Sequence, residues 1–565
     1  MGLFNISKAS HVAGGDIQYT CIGQDSFLIT ANFFRDCSGI NAPNTITATL
    51  SSTCGQNFTQ VLTLVNPGGT EVSQLCAAEI GNSECNGGSL PGMEQYIYEG
   101  IVVLTPPCNT WTISYSVNAR NPSVNVPNSQ SLNFYVEATL NSQNAPCNNS
   151  PTFTAQPIPY VCAGQNVDYS YGVTELDGDS LHFFIDAGGS AQNTPLTYGA
   201  GFSVTAPIPG ITIDPATGQL NFLVPNTNGN YIVVVCVEEY DPATGLLLGS
   251  VCRDIQFIVQ TCNNIQPELV APGIQNFVGT GVQIDSNSVE VCVGNNFSFD
   301  IQFSDPDPND SVFLTHNIAT VLPGATVTVT PGNPATLSVS WTATPVPGNF
   351  LIFNVQAEDD ACPVVGLAGS NFDITIIPAT YAGPDQTICQ GSQTAQINAV
   401  GGSIFTWNVI SGDPINPSNF SCNPCANPVA SPSVTTTYQV ISNLTGTCVN
   451  IDTITINVAT DYDITLPPDT LICSIQDLQL FANPNLGGQF SWQWTPSSSL
   501  NFDTIQNPLA NPSENTTYGV TVTSSQGCIK SDTVNVSLSP PFPPNITMGP
   551  VDPNDTLLCI GETVD

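Results

Sequence analysis

Residues 428–440 read PVASPSVTTTYQV, and residues 508–520 read PLANPSENTTYGV. Each is followed by a cysteine, Cys448 or Cys528, and then by an alternating run, 452-DTITINV or 532-DTVNVSL. Alternation at period two, rich in Val, Ile and Thr, predicts strands with one face buried. Pro, Asn and Ser supply the turns between them. Tyr438 and Tyr518 hold the same offset from their cysteines, so the chain repeats a β-module rather than a single strand.

Working outward, the repeat begins at Asp-x-x-x-Cys: Asp385 to Cys389, Asp469 to Cys473, and again Asp555 to Cys559. Upstream, a second pair of modules starts after Cys147-Asn148-Asn149 and Cys262-Asn263-Asn264, with early cysteines in 161-VCAGQNVDYSYG and 291-VCVGNNFSFDIQ. Further alternating runs are 112-TISYSVNA, 231-YIVVVCVE and 336-TLSVSWTA. Helix-forming mixtures of Ala, Glu, Lys and Leu are missing. The expected fold is therefore all-β, a tandem, extended array of β-sandwiches of immunoglobulin-like, PKD-like or cadherin-like type. Expected pieces are a Cys-rich N-terminal β domain (1–146), two sandwiches (147–261 and 262–378), two PKD/Ig-like sandwiches (379–459 and 460–541), and the start of another module (542–565). A length of 565 residues suits several cores and not one. The third Asp-x-x-x-Cys, close to Asp565, reads as a module interrupted. The opening MGLFNISKAS has no apolar signal core, as in a mature or recombinant fragment.

Charge narrows the function. Five Lys and Arg stand against 44 Asp and Glu, a formal charge of −39. Nucleic acids and anionic bilayers repel such a surface, so neither is an expected partner. No apolar run approaches the length of a membrane span, and direct insertion is not expected. Two lysines leave little room for Lys–Asn isopeptide staples. Twenty cysteines supply the alternative and place the chain in an oxidising, extracellular compartment. Matching positions predict the pairs Cys389–Cys448 and Cys473–Cys528. Cys422-Asn-Pro-Cys425 lies among Pro and Asn, away from the helix N-terminus that thioredoxin-type chemistry uses, and is read as a loop-closing disulfide.

Carboxylates offer the one candidate site. An acidic turn, Glu175, Asp177 and Asp179, follows the early strand of the first sandwich; a second group, Glu238, Glu239 and Asp241, ends a late strand. The next sandwich repeats this with Asp305, Asp307 and Asp310, then Glu358, Asp359 and Asp360. In an immunoglobulin-like sandwich both loops emerge at one end. Carboxylate and carbonyl oxygens in a flexible loop site suit calcium, and these twelve residues are its candidate ligands. The alternative is that they are solvated loops on an acidic protein. Catalysis has little support. His11, His182 and His316 each stand apart from any nucleophile–acid arrangement, and no catalytic residues are assigned. Trp407, Trp492 and Trp494 lie in strand-like runs and are read as core, not as sugar platforms.

The motifs 10-SHVAGGDIQYTC, 33-FFRDCSG, 175-ELDGDSLHF, 214-DPATGQLNF, 236-CVEEYD with 249-GSVCRDIQF, and 381-YAGPDQTIC through 421-SCNPCANPVASPSVTTTYQV resemble modules of very large surface proteins of Bacteroidota. Those proteins are associated with gliding motility, are exported by type IX secretion, and carry PKD/Ig-like repeats. The segment Asn148 to Phe153 is similar to a weak version of the cadherin linker, whose calcium ions stiffen module junctions. The resemblance implies a non-catalytic cell-surface adhesin, filament or appendage subunit, serving attachment, gliding or prey capture. Its partners would be cell-surface or glycan targets, with self-assembly into a homo-oligomer or filament. Two alternatives stay open: the stalk of an exported hydrolase, and a carbohydrate-binding module within 1–146.

Overall fold

The computed structural model describes residues 12–155, 160–391, 393–444, 448–472 and 476–539. Lys8, His11, Cys473, the Asp555–Cys559 motif and the piece 542–565 lie outside the described residues. The chain is nearly all β. It divides into two compact units, residues 1–378 with 446–448, and residues 379–445 with 449–565.

The first unit departs from the expected boundary at 146/147. Seven antiparallel strands of the N-terminal segment follow one another from Val12–Gly23 through Ser26–Asp36, Met93–Val103, Asn57–Leu64, Thr45–Ser52 and Trp111–Val117 to Phe134–Leu140. This curled sheet does not close on itself. Both of its end strands abut one edge of Leu247–Gln260, through Gly15↔Asp254 and Asp16↔Arg253 on one side and Gly249↔Leu140 to Val251↔Ala138 on the other. The strand that completes the N-terminal sheet is thus the last strand of the following segment. Its other edge pairs with Gly229–Tyr240. One core runs through both segments, with Ile17, Tyr98, Trp111 and Phe134 in the same cluster as Tyr169, Phe222, Val235 and Phe257. Residues 1–146 are therefore not a separate domain: their open edges and apolar interior are covered by residues up to 260.

Residues 268–377 form a two-sheet sandwich with its own core around Phe299, Trp341, Phe353 and Phe372. An excursion of the N-terminal segment reaches it through the disulfide Cys76–Cys362 and a 2.5 Å hydrogen bond from Gln74 Nε2 to the Val365 carbonyl.

In the second unit, two sandwiches stack a four-stranded sheet against short two-stranded ones. Trp407 and Tyr438 anchor one core, Trp494 and Tyr518 the other, all nearly or fully buried. Trp492 is half-buried, and its indole N–H donates to the Ala482 carbonyl.

One local device recurs in both units. A short first strand pairs in parallel with the last strand of its sandwich: Tyr160–Cys162, Ser288–Cys292, Gln386–Cys389 and Thr470–Ile472. The early cysteine ends the strand in three of these, and Cys-x-Gly turns it, with Gly164, Gly294 and Gly391 all at positive φ. Nothing lies within 4 Å of where a Cβ would sit on Gly294 or Gly391, so the left-handed backbone and not space selects glycine. Asp-x-x-x-Cys is this same position. Asp385 accepts the Thr455 N–H at 2.7 Å and Asp469 the Asn535 N–H at 2.8 Å, each fixing the last strand beside the first.

The pairing of these cysteines corrects the expectation. Cys389 bonds Cys528 and Cys448 bonds Cys292, so the expected pairs Cys389–Cys448 and Cys473–Cys528 both fall, the second because Cys528 is taken. Within the second unit, Cys389 stands opposite Ala459, where the chain leaves for the next sandwich, so it meets a cysteine of that sandwich and not one of its own. Cys422 and Cys425 bond each other.

Candidate metal centre

Strand periodicity sorts the twelve acids before any ion is considered. Adjacent residues of a strand point to opposite faces, so Glu238 and Glu239 cannot both turn inward. Glu239 is fully buried. Glu238 faces out, accepting the Tyr240 hydroxyl at 2.7 Å with His182 Nδ1 at 3.7 Å. Asp241 caps its own turn, accepting the N–H groups of Ala243 and Thr244. Asp177 grips the linker, taking the backbone N–H of Asn149 at 2.8 Å and its amide at 2.9 Å. Glu175, Asp179 and Glu239 remain, each with a carboxylate oxygen within 4.8 Å of the others.

The environment of these three is built. Glu239 Oε1 accepts the Tyr19 hydroxyl at 2.9 Å and Oε2 accepts the Asn148 amide at 3.0 Å. Glu175 Oε1 accepts the Asp177 N–H at 2.5 Å, while Glu175 Oε2 and Asp179 Oδ2 are buried with no hydrogen-bond partner among the described residues. Opposite Glu239 stands Gly249, where a Cβ would meet Tyr19 Oη at 2.2 Å and Glu239 Oε1 at 2.5 Å. Burial first, then the charges of Asp177 and Asp179, pushes the Glu175 carboxyl up to about 8. Asp179 is pushed up to about 6 by burial and by Asp177. Glu239 is raised well above the ordinary carboxylate range by burial and by Glu175.

The second sandwich repeats the construction. Asp305, Asp307 and Asp310 each bring a carboxylate oxygen within 4.8 Å of the others. Asp305 Oδ1 accepts the Asp307 N–H at 2.7 Å, as Glu175 does for Asp177, and its Oδ2 is buried and unpartnered. Asp307 accepts the Ile265 N–H at 3.2 Å, as Asp177 does for Asn149. Asn264 donates to Asp359 at 2.9 Å, as Asn148 does to Glu239. Gly366 stands opposite Asp359 as Gly249 does opposite Glu239. Burial and the neighbouring Asp359, Asp307 and Asp310 push Asp305 up to about 6. Asp360 instead accepts the Ser311 N–H at 2.8 Å, and Glu358, next along the strand from Asp359, is half-buried.

Sequence reasoning aligned Asn148 with Asn263; the hydrogen bonds align it with Asn264, one residue later. It also missed Tyr19 and the two glycines. Neither has a local signal, since Tyr19 comes from a strand 220 residues from Glu239.

A third cluster, Cys37, Cys85 and Glu94, is not a metal site: the cysteines bond each other and Glu94 pairs with Arg35. His182 stacks on Phe184, and His316 Nδ1 accepts the Ile318 N–H. Among the described residues no helix is long and apolar enough to cross a membrane.

No family model matches the chain, and no curated protein matches it. Among solved structures it is similar to a three-immunoglobulin fragment of titin, at 13% identity and TM-score 0.20, covering 48% of this chain and 100% of that one. The protocadherin GammaB4 extracellular domain matches at 13% identity and TM-score 0.20, over 88% and 82%. The eight N-terminal immunoglobulin domains of Down syndrome cell adhesion molecule match at 10% identity and TM-score 0.22, over 94% and 74%. At these scores the likeness carries no residue correspondence, and the all-β assignment stands on the strands themselves.

Proposed function

We propose that the chain is a non-catalytic, extracellular structural array of the adhesin or appendage type, whose task is to transmit force without lengthening. Its membership among gliding-associated, type IX-exported surface proteins of Bacteroidota is part of this proposal and rests on the sequence motifs alone. Attachment to cell-surface or glycan targets, and self-assembly, belong to it on the same footing.

The observation that carries the reading is the interlocking of the disulfides. All eighteen described cysteines are paired, and no described cysteine is free. Covalent shortcuts lead from Cys37 to Cys85, from Cys76 to Cys362 and from Cys389 to Cys528. A pull between residues 21 and 528 is then borne by only three stretches of backbone: 21–37, 76–85 and 362–389. That is roughly 50 residues in place of roughly 500, or about 180 Å of contour instead of about 1,700 Å. An enzyme fold has no need of such a route, whereas a load-bearing one is protected by it.

Single-molecule pulling between handles at residues 21 and 528 tests the idea. The oxidised chain is expected to stop near the short contour, and reductant should release the remainder. Oxidised molecules that run out to the full length would remove the mechanical reading.

A further inference from the structure

The two acidic clusters are not explained by force transmission, which needs only the disulfides. From their geometry we infer that they are two calcium sites set in the same hydrogen-bonded frame, the first built on Glu175, Asp179 and Glu239, the second on Asp305, Asp307 and Asp310.

Four observations carry this. First, oxygen atoms are aimed inward without partners: Asp305 is 6% exposed, yet its Oδ2 has no hydrogen-bond partner, and Glu175 Oε2, Asp179 Oδ2 and Asn264 Oδ1 are likewise buried and unpartnered among the described residues. Buried acceptors in this state call for a donor or a cation. Second, each described lysine and arginine is already paired with another carboxylate. Arg35 is paired with Glu94, Arg120 with Asp254, Arg253 with Asp16, and Lys530 with Asp461, which accounts for every described Lys and Arg. Third, the arrangement is built twice from different residues. A linker Asn bonds the strand acid, the first acid of the turn accepts the N–H two residues on, and a glycine clears space opposite the strand acid. Solvated loops have no reason to converge on one hydrogen-bond pattern. Fourth, the donor set is entirely oxygen, because Cys147, Cys262 and Cys362 beside the sites are held in disulfides. Carboxylate oxygens gathered within 4.8 Å on loop turns can share one ion, and an all-oxygen set on a flexible turn suits calcium, whereas magnesium demands a near-ideal octahedron and keeps most of its water. Water would complete the usual six to eight ligands.

The consequence is local and mechanical. In the first site the ion would hold Glu239, to which strand Val12–Gly23 is tied through Tyr19 and the linker through Asn148. In the second it would hold the 305–310 turn against the linker at Asn264–Ile265.

Calorimetric titration of the calcium-stripped full chain with calcium chloride, with magnesium chloride as control, tests the assignment, together with melting in calcium and in EDTA. Expected are about two calcium ions per chain, with affinities near the ~10⁻⁴ M of extracellular modules, and a higher melting temperature in calcium. Glu175→Gln and Asp310→Asn should each lose one ion. Each variant should melt at or above the wild type in EDTA, because a repulsion has been removed, and below it in calcium. Asp179→Asn and Asp305→Asn serve as second variants at the two sites. Absence of saturable binding at millimolar calcium overturns the proposal. So does a variant that melts above the wild type in both conditions, or equal binding of magnesium. None of these outcomes touches the pulling experiment, so the two readings fail separately.

Discussion

Arg253 donates from Nε to Asp16 Oδ2 at 2.8 Å across 237 residues of sequence, and its Nη2 lies 2.7 Å from the same oxygen in an ion pair. Both side chains are almost wholly buried, and Asp16 Oδ1 is filled by the amides of Gln18 and Asn32. Arg253 also donates to the Ala155 and Phe153 carbonyls, with its guanidinium carbon 4.5 Å above the Phe153 ring. The pair therefore sits where the first strand, the linker and the closing strand meet.

Removing one partner strands the other charge in the interior, a loss of about 3–5 kcal/mol, whereas replacing both by apolar or amide groups of similar size is far milder. Arg253→Ala is expected to lower the unfolding free energy of the first unit by that amount. The double variant Asp16→Asn with Arg253→Met should recover most of it. Denaturant titration followed by tryptophan fluorescence, which reports Trp111 and Trp341 in this unit, checks both. A single variant as stable as the wild type would show that the pair is not buried as described.

The same geometry predicts the behaviour of fragments. Residues 1–146 expressed alone lack Leu247–Gln260, so two strand edges, the apolar interior and the Asp16 carboxylate are all left open. That fragment is expected to stay unfolded or to aggregate, while residues 1–262 with Cys76→Ser, which keep the Cys162–Cys262 bond, fold cooperatively. Amide dispersion in a proton–nitrogen NMR spectrum distinguishes them. A well-dispersed spectrum from 1–146 would restore the boundary expected from sequence.

Disulfide mapping has an equally sharp outcome. Non-reducing proteolysis and mass spectrometry should recover peptides joining Cys389 to Cys528 and Cys292 to Cys448, with no peptide joining Cys389 to Cys448. The Cys389–Cys528 bond closes a separation of 139 residues. In the chain-entropy account a loop of that size contributes about 4–5 kcal/mol, an upper figure because unfolded chains keep residual structure. Cys389→Ser with Cys528→Ser should therefore lower the midpoint of the second unit markedly while leaving that of the first in place.

What the sequence disclosed follows the range of the interaction concerned. Strand class, the repeated Tyr438 and Tyr518, and the Cys422–Cys425 bond are set by neighbours a few residues away, and all were legible. The acid turns at 175–179 and 305–310 were legible as turns for the same reason. Which acids converge was not, because that depends on which face Glu239 and Asp359 take and on Tyr19 and the two glycines arriving from elsewhere. Pairing by repeat position failed for Cys389 and Cys448 because a repeat shows equivalent positions and not proximity. The shared core of residues 12–260 was hidden because one strand's two edges serve different segments, which no local pattern encodes.

Asp373 provides a test by pH away from the acidic clusters. It is half-buried and accepts the Ser288 hydroxyl at 2.5 Å. Burial raises its carboxyl above the ordinary range, the Ser288 bond lowers it, and the charges of Asp285 and Asp214 add to the rise. A carboxyl raised in the folded state favours the protonated form. Its contribution to stability is full below the ordinary carboxylate range, near pH 4, and is lost as pH rises through the folded value. Asp373→Asn keeps an oxygen for Ser288 and carries no charge, so it escapes that loss. The variant is expected to melt roughly 1–3 °C above the wild type at pH 7, the scale of a sub-kilocalorie change in a unit of this size. The difference should shrink steadily as the buffer is taken to pH 4. Melting curves in the presence of EDTA keep any bound cation out of the comparison. A difference that is constant across the range would mean that packing, and not the charge, sets the effect of the substitution.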